Sequence, residues 1–213
     1  MSTTKGRNVK VEVALTFASL ITPTAVTKAS PGVATLTSHG LTDGMAGYWS
    51  AAAGMVELDQ QGVLVGSVTS NTFAMPGLIT TDYTTYTTAS FYAAATWGTV
   101  SEASAYSIGG GAATELDDGR LMDVKARTES GLLAPQNLTI DIRNPVISGT
   151  ALAFIESQAM RGLPCLFKIT QGSNVLRVVY GTPSLPGESV AAGQLASGQL
   201  TVNCPAFAIK PNV

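Results

Sequence analysis

The chain contains a single histidine, His39, and this limits the chemistry that it can perform. Most zinc sites and the common Ser-His and Cys-His nucleophile arrangements depend on histidine side chains. His39 precedes Gly40 in a stretch rich in turn residues, which favours a structural or solvated role over a catalytic one. We therefore expect that this protein is not an enzyme built on a histidine base.

Three further groups of residues resemble functional motifs but lack an essential part. The glycines at 109–111 are not followed by the Lys-Ser or Lys-Thr pair of a phosphate-binding loop. The acidic cluster at 115–118 does not have the spacing of a known calcium loop and fits a solvated charge cluster. Asp141 and Arg143 alternate along a predicted strand, so they form a surface pair rather than an acid–base dyad. We predict no catalytic residue, no metal site and no cofactor.

The composition indicates a chain that buries much of its surface. Charged residues make up only 12% of the 213 residues, whereas hydrophobic residues make up 45%, as in subunits of assemblies. The net charge of −2 argues against binding to nucleic acid or to an anionic membrane, because both require clustered lysine and arginine. Cys165 and Cys204 lie far apart within strand-like runs. They could pair, but buried free thiols in a cytosolic product fit better.

The N-terminal region has two interpretations. No apolar run in the chain reaches the ~18 residues that span a bilayer. Lys5, Arg7 and Lys10 precede an apolar stretch at 13–21, which outlines a weak signal peptide. However, apolar residues alternate with polar or small ones from 9 to 17, and a period of two predicts a half-buried strand. We favour the strand.

A stretch around residues 147–170 predicts a helix that turns directly into a strand. Ser148 is expected to cap the helix, with Ile147 and Leu152 forming a hydrophobic staple. Gly162 suits the left-handed residue that closes a helix, and Pro164 prevents the helix from continuing.

The predicted helix has one apolar face, formed by Leu152, Ile155 and Ala159, which is sufficient to dock it on a sheet. Phe154 points away from that face. It is either a lone exposed aromatic residue, which is common, or a contact covered by another subunit. The candidates for an intersubunit contact are Phe154, Gln158 and Arg161.

Alternation predicts several further strands. One covers 96–104, and one covers 138–143 with an apolar and a polar face. A hairpin covers 165–180, a loop covers 182–198, and a closing strand covers 199–209.

The segment 32–92 combines short predicted strands with dense turn residues and follows a Thr- and Pro-rich linker. Its landmarks lie at 39–44, 54–58, 71–73 and 80–83. This order resembles a small β module, often labelled FCCH-like after ubiquitin-activating enzymes, that recurs in tail proteins of bacteriophages. Many such modules carry a charged residue after the turn glycine, where this chain has Met45. We expect the segment to face outward and to be dispensable for assembly.

The rest of the chain has a first strand, a Gly- and Asp-rich excursion, one helix between strands and a terminal hairpin. This order resembles the tail tube, or major tail, protein of long, non-contractile-tailed bacteriophages. The resemblance covers 5–17 and 96–213. It implies a mostly β fold, a β-sandwich or partial barrel with one flanking α-helix. We therefore predict a core formed by 1–31 and 93–213, with the small β module 32–92 inserted.

The resemblance also implies a function. Tail tube subunits form hexameric rings whose inner sheets join into a continuous barrel, and the rings stack into the tube through which DNA leaves the capsid. The implied partners are other copies of the chain and tail proteins such as the tape measure and tail terminator, with no membrane. Genomic DNA would pass without specific binding, which fits the lack of basic clusters. The implied location is the tail of the virion, after synthesis in the host cytoplasm.

Two sets of residues become candidates for contacts in such a tube. The polar positions of the strand at 138–143 are candidates for the lumen face, namely Thr139, Asp141 and Arg143. The excursion at 107–131 runs to about 25 residues, far longer than a connection of roughly 4–6. By resemblance it is an arm that reaches the next ring and becomes ordered on stacking. Its candidate contacts are Glu115, Asp117, Asp118, Arg120, Asp123, Lys125 and Arg127.

A second class of function stays open at this point. A carbohydrate- or receptor-binding β module of a tail tip or bacterial surface would present clustered aromatic side chains around a groove. Tyr48, Trp49, Tyr83 and Tyr86 could supply such a cluster, although core packing explains them equally well.

Overall fold

A computed structural model describes residues 9–117, 128–143, 149–192 and 194–211. The chain is mostly β, with 50% of residues in strands and 8% in helical structure, as the sequence predicts. The described part contains one α-helix, α1 (Thr150–Met160), and a short 3-10 turn at Val56–Leu58. Its strands are β1 (Val9–Phe17), β2 (Ala25–Val26), β3 (Gly32–Thr35), β4 (Ala46–Ala53), β5 (Gly62–Leu64), β6 (Thr72–Met75), β7 (Thr88–Thr99), β8 (Ala103–Gly110), β9 (Ala113–Asp117), β10 (Thr128–Leu133), β11 (Gln136–Arg143), β12 (Cys165–Gln171), β13 (Asn174–Pro183) and β14 (Ser197–Cys204).

Nine of these strands form one antiparallel sheet, in the order β5-β4-β7-β1-β12-β13-β14-β11-β8. β2, β3 and β6 form a second, three-stranded sheet, and β9 and β10 form a two-stranded one. The predicted first strand and terminal hairpin are confirmed, with Val9 opposite Gln171 and Gln171 opposite Asn174.

The nine-stranded sheet curls around the main core. Side chains of β1 and β11 belong to the same buried cluster although they lie four places apart in strand order. The seam of this partial barrel lies between β1 and β8, where a cavity of about 460 Å³ separates the two strands. The main core consists of Val11, Val13, Val100, Leu138, Ile140, Ile142, Ala151, Leu152, Ile155, Cys165, Phe167, Ile169, Val179, Leu200, Val202 and Cys204.

The central strands are buried on both faces. On β1, Val13 faces the main core whereas the next residue, Ala14, belongs to a second buried layer. On β12, Phe167 and Leu166 divide in the same way. The second layer is covered by β4 and β5, and a Cβ added at Gly62 of β5 would lie 3.3 Å from the Leu166 side chain. The expectation of a half-buried first strand holds for most of β1, since Lys10 and Thr16 are exposed, but Ala14 is buried on the second face.

β2–β6, the Val56–Leu58 turn and the first part of β7 form what we call the outer lobe. Its core lies between the three-stranded sheet and the outer faces of β4 and β7, with Trp49, Phe73 and Phe91 at the centre. The predicted boundary between residues 92 and 93 falls inside β7, and the predicted linker contains β2. Because β4 and β5 belong to the nine-stranded sheet, the segment 32–92 is not self-contained, whereas its dispensability for assembly stays an untested prediction.

The helix lies close to its predicted position, but its N-terminal cap differs. The N-cap residue is Gly149, and no side chain of the helix caps it; Ile147 and Ser148 lie outside the described residues. The C-terminal prediction is confirmed. Gly162 has a φ of +63°, Leu163 N–H donates to the Gln158 carbonyl, and Gly162 N–H donates to the Ala159 carbonyl, which together close the helix.

Candidate assembly surfaces

One face of the β14–β11–β8 part of the sheet is polar, and we call it the polar wall. The register places Thr139 opposite Thr201 and Ser107, and Asp141 opposite Gln199 and Ala105. The opposite face of the same strands carries Leu138, Ile140 and Ile142 into the main core, so the predicted two-faced strand is confirmed. The residues of the polar wall are Ala105, Ser107, Gly109, Asn137, Thr139, Asp141, Arg143, Ser197, Gln199, Thr201 and Asn203.

The polar wall carries two charged side chains, Asp141 and Arg143, and both are exposed. Gln199 Nε2 donates to Asp141 Oδ1 over 3.0 Å, which ties β14 to β11. A shallow depression of about 500 Å³ lies beside Arg143 and reaches Glu188 in the loop before β14. All three predicted lumen-face residues therefore share one surface, and most of its other side chains are neutral and hydrophilic.

The polar wall ends at β8, which pairs only with β11 among the strands that the structure describes. Along its eight residues β8 has no charged residue and no proline, two of the features that protect an exposed sheet edge, and its pairing with β11 is irregular between Ala103 and Ala105. Tyr106 and Ile108 anchor its inner face to the main core. β8 also includes Gly109 and Gly110, so these two glycines lie in a strand. The predicted strand at 96–104 is likewise corrected, because the chain turns at Ser101 and Glu102 between β7 and β8.

The predicted arm at 107–131 begins as part of β8 and continues as the two-stranded β9–β10 sheet, which we call the ribbon. Gly110 and Gly111, with φ of +85° and +79°, turn the chain from β8 into the ribbon. Two of the predicted contact residues, Glu115 and Asp117, lie in β9. The others lie outside the described residues, namely Asp118, Arg120, Asp123, Lys125 and Arg127.

The helix candidates have a different environment from the one expected. Phe154 is half-buried and packs against the main core, so its side chain does not simply point away from the protein. Gln158 is also partly covered, whereas Arg161 is exposed. Of the three intersubunit candidates, Arg161 is thus the one whose side chain lies open at the surface.

The aromatic cluster required by the carbohydrate-binding alternative does not form an open groove. Trp49 is fully buried in the outer-lobe core. Tyr48 is stacked between Tyr92 and Tyr180, with ring centroids 5.1 and 4.3 Å away, so both of its faces are covered. Burial raises the pKa of Tyr48 and of Tyr180. This stack fixes the outer lobe to β13.

The candidates for chemistry are held in structural roles. Leu41 N–H donates to Nδ1 of the buried His39, whose ring lies edge-on against Phe73. Cys165 and Cys204 are buried free thiols, as expected from the sequence. Burial raises the pKa of the Cys165 thiol to about 12, which disfavours the reactive thiolate.

Within the part of the chain that the structure describes, no group of three or more His, Cys, Asp or Glu side chains is placed to hold a metal ion. No helix in the same part combines the length and apolar character needed to cross a membrane.

No protein-family model matches the sequence, and no curated protein matches it.

Proposed function

We propose that this chain is a structural virion protein that assembles into stacked rings forming a phage tail tube. The observation that carries the proposal is the edge of β8 at the end of the polar wall, which has no second partner strand among the described residues and carries no charge or proline. An edge of this kind offers unpaired N–H and C=O groups to another chain, and natural proteins usually block it. Occupation by a neighbouring copy explains why this one is left open.

The opposite border of the polar wall supplies a surface for that neighbour. The loop between β13 and β14 runs alongside β14. Gly187 N–H donates to the Gln199 carbonyl, and Ser189 pairs with Ser197. This loop carries three exposed aliphatic side chains, Leu185, Val190 and Leu195. Contact between the β8 border of one copy and the loop border of the next is a head-to-tail interface, the type that closes into rings.

The polar wall has the surface chemistry that a DNA conduit needs. Each lysine or arginine that neutralises a phosphate adds to the affinity, so a wall rich in basic residues would hold the genome. The described wall presents mainly Ser, Thr, Asn and Gln, with one Asp and one Arg per copy. A ring whose lumen is lined by this face would let DNA slide past without specific binding. The hexameric count, the tape measure and tail terminator partners and the virion location rest on the resemblance to tail tube proteins.

Electron microscopy of the purified protein tests the proposal, with Ala105→Lys as the informative variant. Ala105 is exposed on β8, and a lysine there places charge on the open edge without entering the core. The matched control is Ala153→Lys, on an exposed position of α1. We expect rings or tubes from the wild type and the control, and dispersed subunits from Ala105→Lys. Dispersed wild-type monomers over a range of concentrations would contradict the proposal.

A further inference from the structure

We propose that residues 205–211 form a strap that couples the ribbon to the outer lobe, and that Gln136 is the positioning residue at the ribbon end. The biological use of this coupling rests on the proposed function, because the ribbon is the proposed contact between rings. The coupling itself is a property of the single subunit and is tested there.

Gln136 joins the strap to the base of the ribbon. Ala208 N–H donates to Gln136 Oε1 over 2.9 Å. Gln136 is also the first residue of β11 and pairs with Gly110, at the point where the chain leaves β8 for the ribbon. A Cβ added at Gly111 would lie 3.2 Å from Gln136 Nε2 and 3.5 Å from the Phe207 ring. The glycine turn at the ribbon base is therefore enclosed by one strap residue and by the side chain that holds the strap.

The other end of the strap is fixed to the outer lobe. Nε2 of the buried Gln61 donates to the Phe207 carbonyl over 2.9 Å. Ile209 pairs with Val178 of β13 through two backbone hydrogen bonds, while its side chain enters the outer-lobe core. Lys210 then passes so close to Gly77 that no side chain fits at that position.

The ribbon needs such a support. A two-stranded sheet is at best marginally stable by itself in water. Two successive residues with positive φ at its base, Gly110 and Gly111, would allow it to point in many directions if nothing enclosed them. The strap removes that freedom and sets the direction of the ribbon relative to the outer lobe. A contact made by the ribbon on another copy is then transmitted to the outer lobe through residues 205–211.

Electron paramagnetic resonance distances between two spin labels measure this direction. The labels are placed on Ser130→Cys in β10 and on Ser70→Cys, an exposed position of the outer lobe. The parent protein without the new cysteines shows that the buried Cys165 and Cys204 stay unlabelled. We expect a single narrow distance peak, and loss of that peak in Gln136→Ala. Gln136→Glu, which keeps an acceptor for Ala208 N–H, retains the narrow peak.

The control is Gln199→Ala, which removes another glutamine hydrogen bond of the same sheet, the one to Asp141, without touching the strap. It keeps the narrow peak. If Gln136→Ala does not fold, Phe207→Ala carries the test, because this side chain is 45% exposed and lies outside the cores. An unchanged peak in the folded Gln136→Ala or Phe207→Ala protein overturns the proposal, as does equal broadening in Gln199→Ala. Because these measurements use isolated subunits, they test the coupling by the strap whether or not the protein forms tubes.

Discussion

The backbone N–H of Gly149 donates to Glu102 Oε1 over 2.7 Å, and this contact anchors the N-terminus of α1 to the turn between β7 and β8. The carboxylate lies where the helix presents its positive end, which favours a negative charge. Glu102 also accepts a hydrogen bond from Arg143 N–H through its carbonyl, so the same residue holds the end of β11. A residue 47 positions away in sequence thus accepts the hydrogen bond of the N-cap N–H, which the N3 carboxylate accepts in a capping box.

We expect Glu102→Ala to lower the free energy of unfolding by about 0.5–2 kcal/mol, the usual range for a lost helix cap. Glu102→Gln keeps an acceptor and should lose less. Ser101→Ala is the matched control, because Ser101 contacts the other carboxylate oxygen, not the helix. Urea unfolding measures all three. Equal stability of Glu102→Ala and the wild type would show that the contact does not anchor the helix.

Leu166→Ala tests whether the outer lobe is part of the fold. Leu166 is fully buried beneath β4 and β5, so we expect a loss of about 2–5 kcal/mol in the free energy of unfolding. Leu195→Ala, at a position 77% exposed, should change stability by less than about 0.5 kcal/mol.

Replacement of 32–92 by a Gly-Ser linker should abolish folding, since it uncovers the buried layer that contains Leu166. A folded, stable replacement variant would restore the interpretation of 32–92 as a detachable module.

Phe154→Asp should destabilise the subunit itself. Because the ring packs against the main core, we expect the free energy of unfolding to fall by about 1–2 kcal/mol. Ala153→Asp, an exposed neighbour on the same helix, is the control. Thermal unfolding of the isolated subunit distinguishes this effect from a loss of association. If Phe154→Asp unfolds at the wild-type temperature yet fails to assemble, the side chain acts at an intersubunit contact instead.

Replacement of residues 113–133 by a short Gly-Ser linker should leave the subunit folded and prevent the stacking of rings. The ribbon forms its own sheet, so its removal takes no strand from the nine-stranded sheet. Single exposed charge pairs contribute roughly 0–1 kcal/mol, so wild-type stacking through many such pairs should weaken as salt rises. Melting curves and electron microscopy at low and high salt measure both effects. Normal tubes from the replacement variant would exclude the ribbon as the contact between rings.

The stability of the subunit should fall at alkaline pH in a way that depends on Cys165. Burial raises the pKa of this thiol from 9.0 to about 12, so the folded chain binds the proton more tightly than the unfolded chain does. The contribution of this thiol to the free energy of unfolding is complete below pH 9. As pH rises from 9 towards 12 the free energy of unfolding falls by up to about 1.4 kcal/mol per pH unit. Urea unfolding from pH 8 to 10.5 should show a shallower decline for Cys165→Ala. Identical slopes would contradict this assignment.

Local patterns in the sequence predicted the elements whose signal lies within a few neighbouring residues. The alternation at Leu138, Ile140 and Ile142 gave β11 and both of its faces, because one face meets the core and the other meets water. Gly162 marked the end of α1, since glycine adopts a positive φ without steric cost. The polar wall was foreseen in part through Thr139, Asp141 and Arg143, but its extent depends on the pairing of β11 with β8 and β14.

The sequence by itself determined that the chain is mostly β with an isolated helix. The tertiary structure alone decided which strands are buried on both faces, where the helix is anchored and which sheet edge lacks a second partner strand in the described part of the chain. Ala14 and Leu166 lie in short apolar runs, 13–15 and 165–167, which are compatible with burial on two faces, but the cover over them comes from β4 and β5, distant in sequence. Alternation records contact with one surface, whereas burial on two faces depends on how the sheet curls.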